Sequence, residues 1–320
     1  MLRRPRRALG WPAAMASTTD RDTVTYPGAR RPDRRYTVNA HGLGIATYEW
    51  GDEAAPPVLL VHGGFDFAGT FDVFAPTLAE AGWRAVAWDH RGHGDSEHAE
   101  MYSWDADARD AVAVMDHIGR SPMPVIGHSK GGAMMLQVAE ALPHRFSAMV
   151  NIDGLPSPRR HPDVAGHERT RMLLAELSTW LDRQREPVGE RRPGTIDELA
   201  ERRGRQNPRL SRAWLRYLVT IGARRDPDGW RWKIDPALRR GGFGPHRNSW
   251  SMERLPGLTP RLLGIVGTEP EPMGWGNDPE GLRPFLPPGG RLEVFEGTGH
   301  FVHIEEPRAV AALVLDFLAA

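Results

Sequence analysis

Short, wholly apolar runs alternate with amphipathic stretches over most of this chain. Val58-Leu59-Leu60-Val61 has no polar position, the pattern of a strand buried on both faces. Residues 83–89, the run Met123-Pro124-Val125-Ile126 and residues 146–153 read as further strands, and residues 36–39 and 43–50 as an opening pair around His41-Gly42. Between them, residues 70–81 have helical spacing and stop at Gly82. Residues 103–118 form a second helix, with Ser103 as its N-cap and Asp105 and Asp107 in the first turn, where the helix dipole favours negative charge. A third helical pattern covers residues 132–142. Strands alternating with helices predict an α/β fold, a mostly parallel sheet covered by helices on both faces.

The alternation stops at Gly154. Residues 155–258 are Arg-rich and punctuated by proline, with helical patterns at 169–185, 195–205 and 210–223 and a turn with a short strand at 228–235. Strand patterns resume at 261–267 and 291–295, and the chain closes on a helix at 307–318. The organisation this predicts is a core of residues 35–154 and 259–320 with a mainly helical lid, 155–258, inserted over the C-terminal edge of the sheet, where ligands of open α/β sheets sit. Residues 1–34 are polar and Pro-rich and are expected to be a disordered tail that adds nothing to the core. Their basic, briefly apolar start is interrupted by Pro12, so initiation at Met15 competes with a secretory signal as its explanation.

With 320 residues and 40% hydrophobic positions, the chain can bury one large core. The 41 basic and 41 acidic residues cancel, which argues against a nucleic-acid partner although Lys130 and Lys233 are the only lysines among the bases. No apolar run approaches the roughly 20 residues of a membrane span. The absence of cysteine excludes disulfides and thiol catalysis. The expectation is a cytoplasmic protein acting on a small molecule, with no nucleic-acid or membrane partner, no cofactor and no metal, and a homodimer as its candidate assembly.

Candidate chemistry centres on Gly127-His128-Ser129-Lys130-Gly131. A Gly-x-Ser-x-Gly turn between a strand and a helix holds its serine above the sheet edge as a nucleophile. A serine needs a base, and His300 lies in Gly297-Thr298-Gly299-His300 just after the last strand, at the same edge; His303 is its competitor. His62-Gly63-Gly64 follows the first buried strand, and the N–H of Gly64 (or Phe65) with that of Lys130 would form an oxyanion hole. The Lys130 side chain would raise the local potential or pair with an acid of the lid. Asp89 to Ser96 reads as a structural turn, with Arg91 and Asp95 tying loops together. Trp214, Trp230, Trp232, Trp250 and Trp275 are grouped as lid aromatics, pocket lining or lid core, and His161 and His246 are expected at the surface.

These motifs in this order resemble the α/β-hydrolase superfamily, over about residues 36–320. Within it, Asn151-Ile152-Asp153-Gly154-Leu155-Pro156 and the segment from Trp230 to Pro236 are most similar to the serine-hydrolase-like branch. The resemblance implies a serine hydrolase with a Ser-His-acid triad, cleaving an ester or related acyl bond without a cofactor. It also implies an acid three residues after Gly267, where this chain has Pro270. The acid is then Asp153, at the end of the preceding strand, or Glu269, with Glu271 and Asp278 as further candidates. The alternatives are carbon–carbon bond hydrolysis or perhydrolysis at the same site, or a non-catalytic small-molecule-binding protein of this fold. A serine at 129 argues against the epoxide hydrolase and dehalogenase chemistries, which need an aspartate there.

Overall fold

The opening runs form β1 (Arg34–Ala40) and β2 (Leu43–Trp50), antiparallel about His41 and Gly42, both of which adopt positive φ as a two-residue hairpin turn requires. This computed structural model describes residues 24–320 except 120, 158–163, 243, 245–247 and 277; His161 and His246 lie outside the described residues. The alternation continues with β3 (Pro57–Val61), α1 (Phe74–Glu80), β4 (Arg84–Trp88), α2 (Trp104–Ile118), β5 (Met123–His128), α3 (Lys130–Ala141) and β6 (Phe146–Ile152). The inserted segment holds α4 (Gly166–Arg183), α5 (Ile196–Gly204), α6 (Arg212–Gly222), β7 (Ala223–Asp226) and β8 (Gly229–Trp232). The chain finishes with β9 (Arg261–Gly267), α7 (Pro279–Leu282), β10 (Arg291–Phe295), α8 (Val302–Glu305) and α9 (Pro307–Ala319).

The strands make one eight-stranded sheet in the order β1-β2-β4-β3-β5-β6-β9-β10. β1, β2 and β4 pair antiparallel, and every pairing from β4 to β10 is parallel. All five residues of β3 are buried, and they divide between the two faces. Val58 and Leu60 pack with Phe74, Leu78, Val314 and Phe317 of α1 and α9. Leu59 and Val61 pack with Val114, Met115, Met134 and Val138 of α2 and α3. Each such side chain contributes about 1.5–3 kcal/mol on burial, so β3 anchors both layers. Because β3 lies between β4 and β5, the winding reverses at β3/β5, and the loops leaving these two strands open a crevice at their C-terminal ends.

Two local expectations are corrected. The helical run at 70–81 breaks into a 3-10 turn, Ala68–Phe71, followed by α1, because Phe67 and Thr70 are drawn into a hydrogen-bonded turn. The stretch preceding residue 35 does contribute to packing. Val24, Tyr26 and Ala29 lie against the apolar cluster of the inserted segment, Tyr26 meets the Trp214 ring edge-on at 4.8 Å, and the Arg30 carbonyl accepts from the Trp50 indole. That cluster, built on Leu199, Trp214, Leu218 and Trp230, seats on Phe67 and Phe301 of the sheet edge. α5 starts in a reciprocal cap between Thr195 and Glu198, and α6 starts on Ser211.

Candidate active site

The turn from β5 into α3 is forced by its glycines. A Cβ on Gly131 would sit 2.4 Å from the Val61 carbonyl oxygen, and one on Gly154, just past β6, would sit 2.2 Å from the Ser129 carbonyl oxygen. Ser129 itself is held at φ 52°, ψ −122°, outside the helix it precedes. Among the described residues four non-glycine residues have positive φ: His41 in the hairpin, and Phe65, Ser129 and Asp153, which all follow strands at this one sheet edge. Strain concentrated there is the mark of a site whose geometry is held by its surroundings.

Asp153 leaves β6, whose register pairs Ile152 with His128, so Asp153 stands level with Ser129 on the neighbouring strand. Its N–H donates to the Ile265 carbonyl of β9. His300 bridges the two. Its Nδ1 contacts the Asp153 carboxylate, and its Nε2 lies 2.9 Å from Ser129 Oγ. A third partner, the Trp275 indole N–H, donates to Ser129 Oγ at 2.9 Å. A carboxylate only accepts, so Nδ1–H donates to Asp153, which leaves Nε2 as the acceptor for the serine hydroxyl proton. All three members are buried, with relative exposures of 7% for Ser129, 2% for His300 and 4% for Asp153.

The loop carrying His300 is fixed by neighbouring acids. The Glu271 carboxylate accepts the His300 N–H at 2.7 Å, Glu305 accepts the Gly299 N–H at 2.8 Å, and His128 Nε2–H donates to the His300 carbonyl at 2.9 Å. Glu269 is exposed, and its N–H donates to the Thr298 carbonyl. The structure therefore brings Asp153 to His300 and leaves Glu269 outside; Glu271 reaches the histidine's backbone rather than its ring. His303 is not at Ser129. It is buried against Phe71, Phe74 and Phe301, neither ring nitrogen has a hydrogen-bond partner, and burial pushes its pKa down to about 3.

Gly64 and Lys130 line the same small crevice, together with Phe65 and His93. The Phe65 N–H is engaged, donating to His93 Nε2 at 3.2 Å. His62, His90 and His93 form a buried cluster behind the turn, and burial holds all three well below the usual histidine range. The Lys130 side chain corrects an expectation. It bonds Asp107 of α2 at 2.5 Å, a residue of the core and not of the inserted segment. Arg91 grips Asp110 through two bonds of 2.7 Å, and Asp95 meets Arg35 and Lys233. Among the described residues no group of three or more histidine or acidic side chains is arranged to hold a metal ion, and no helix is long and apolar enough to cross a membrane.

Trp275 is the residue the sequence grouping misassigned. It lies beyond the inserted segment, in the loop after β9, and touches the serine. Its signal was position, a tryptophan between Gly274 and Gly276 in a loop leaving the C-terminal end of a strand. Trp214 is in the core of the inserted segment, Trp230 is buried and Trp232 is half-buried.

A family model described as the alpha/beta hydrolase fold matches residues 56–307. The sn-1-specific diacylglycerol lipase of Mus musculus is 26% identical over 275 residues, covering 84% of this chain and 83% of the relative. A serine hydrolase-like protein of Dictyostelium discoideum is 34% identical over 117 residues, 35% of this chain and 32% of its own length. Among solved structures, the thioesterase domain from the curacin biosynthetic pathway superposes with a TM-score of 0.74 at 23% identity, over 88% of this chain and 99% of that one. The E-2-(acetamidomethylene)succinate hydrolase superposes with a TM-score of 0.70 at 20% identity, over 90% and 99%. Matched in sequence over most of its length and in fold over nearly all of it, the chain belongs to the alpha/beta hydrolase fold family.

Proposed function

We propose that this protein is a serine hydrolase that cleaves an ester or related acyl bond of a small molecule through an acyl-enzyme on Ser129. The observation that carries the reading is the continuous contact from Asp153 through His300 to Ser129 Oγ at the strand-order reversal. Ser129 Oγ attacks the carbonyl carbon while its proton passes to His300 Nε2, and the carbonyl π pair moves onto oxygen. The N–H groups of Gly64 and Lys130 receive that oxyanion. Asp153 stabilises the imidazolium and keeps Nδ1 protonated. Collapse breaks the bond to the leaving oxygen, which takes the proton from Nε2. Water then attacks the acyl-enzyme and gives its proton to Nε2; expulsion of Oγ, which recovers that proton, releases the acid.

The test is a short-chain 4-nitrophenyl ester followed by absorbance and intact-protein mass. The proposal expects turnover, and a Ser129-linked acyl adduct in a rapidly quenched sample. Turnover by Ser129→Ala at the wild-type rate would overturn it.

A further inference from the structure

A cavity of about 510 Å3 opens beside the candidate active site, and its wall is basic. Arg191, Arg192, Arg202, Arg203 and Arg239 line it with Phe65, and no aspartate or glutamate does so among the described residues. In a chain with 41 basic and 41 acidic residues, five arginines without an acid are a local arrangement and not a consequence of composition. The cavity adjoins the chemistry at two points. Phe65 is the next residue after Gly64, about 3.8 Å away along the backbone. Met273, also in the wall, precedes by two residues the tryptophan that bonds Ser129 Oγ.

The guanidinium groups are incompletely satisfied. Arg203 is about nine-tenths buried, its side chain 11% exposed. It donates through Nη1 to the Phe65 carbonyl at 2.9 Å and lies over the Phe301 ring, but its Nε and Nη2 are buried without a hydrogen-bond partner. That Nη2 lies 3.7 Å from Asp66 Oδ1, an ion pair without a hydrogen bond, and burial pushes Asp66 up to about 6 against the Arg203 charge. Arg191 donates through Nε to the Ile234 carbonyl, and its Nη2 is likewise buried and unpartnered. Burial and the neighbouring Arg239 charge lower Arg191 to about 10 against the attraction of Asp235. Arg202 spends its donors on three backbone carbonyls. Arg192 and Arg239 are exposed at the rim. Buried cationic N–H donors without a hydrogen bond are costly unless an anion satisfies them, and the guanidinium fork matches carboxylate and phosphate oxygens.

We propose that the cavity is an anion subsite, and that the substrate is an ester carrying a carboxylate or phosphate group away from the scissile bond. Resting on the serine hydrolase reading, it adds the substrate class. Arg191 and Arg203 would hold the anionic group at depth, with Arg239 attracting it at the rim.

The experiment measures dissociation constants by calorimetry with full-length Ser129→Ala protein. The probes are monomethyl glutarate, 2-(butyryloxy)ethyl phosphate and the neutral dimethyl glutarate. At least one anionic ester is expected to bind about tenfold or more tightly than dimethyl glutarate, and which one it is distinguishes carboxylate from phosphate. Adding Arg239→Gln, an exposed position, or Arg191→Gln should remove most of that preference without changing affinity for dimethyl glutarate. Equal binding of charged and neutral esters, no binding of either anion, or a preference that survives both substitutions would overturn the proposal. Turnover is scored separately with wild-type protein and 4-nitrophenyl butyrate. Absence of Ser129-dependent turnover sinks the hydrolase reading and the substrate class that rests on it, leaving anion binding by the cavity, while loss of the anion preference with turnover intact sinks the subsite alone.

Discussion

Replacing Asp153 by asparagine should remove most of the activity and leave the fold intact. The two side chains have the same shape, and the backbone at position 153 has φ 46°, a left-handed conformation that asparagine tolerates better than most residues. What changes is the chemistry at His300 Nδ1. At about 4 Å between charge centres, and an effective dielectric near 20, the carboxylate stabilises the imidazolium by about 4 kcal/mol. That is about a thousandfold in rate. An amide N–H facing Nδ1 also favours the tautomer whose Nε2 carries a proton and cannot accept one from Ser129. Together they give a loss of about 10³–10⁴ in kcat, whose upper end matches the roughly 10⁴ lost when a triad aspartate becomes asparagine. The assay is kcat on a 4-nitrophenyl ester, with circular dichroism and thermal midpoint as the fold control. Glu269→Gln should stay within about twofold of wild type, because its side chain is exposed and outside the His300 contacts. An Asp153→Asn protein that keeps a tenth of its activity, or a larger loss in Glu269→Gln, would refute the reasoning.

Other perturbations test the surroundings. Trp275→Phe keeps an aromatic ring and removes the N–H that bonds the serine hydroxyl; one net hydrogen bond of about 1 kcal/mol predicts kcat/KM about fivefold lower, and a rate equal to wild type would count against that role. Lys130→Met leaves Asp107 buried without its cation and should cost about 3–5 kcal/mol in urea unfolding, with an unchanged midpoint as the contrary result. His303→Leu should stabilise the protein, increasingly so in acid. The folded-state pKa of about 3 lies below the unfolded value near 6.5, so His303 costs no protonation energy above pH 6.5 and destabilises the fold as pH falls from there toward 3. The stability difference between variant and wild type should therefore grow by about 1.4 kcal/mol per pH unit below 6.5, and a pH-independent difference would show that the ring is not held neutral.

Much of the core was legible because its signals are local. Val58 to Val61 is buried on both faces of the sheet as its unbroken apolar run demands, and Ser103 accepts the Ala106 N–H as an N-cap should. The elbow glycines were legible for the same reason, since a sharp strand-to-helix turn restricts its own flanking residues. The acid was not. Asp153 and Glu269 are both acids at strand ends, and the choice depends on β6 lying between β5 and β9 in a register that sets Asp153 level with Ser129. Sheet order is a long-range property that no window of sequence contains. Lys130 found Asp107, which read only as a helix-dipole acid, because α2 and α3 pack side by side on one face of the sheet. β7 was not read as a strand, and the helical pattern at 210–223 took in only its first residue. Ala223-Arg224-Arg225-Asp226 has no strand signature, and only its pairing with β8 makes it one.

Labelling by a fluorophosphonate probe tests the central claim, that Ser129 is an activated nucleophile, most directly. The account predicts a stoichiometric adduct on folded wild-type protein, mapped to the peptide containing Ser129 and absent from Ser129→Ala. An adduct that persists in Ser129→Ala, or a wild type that hydrolyses esters while staying unlabelled, would contradict it.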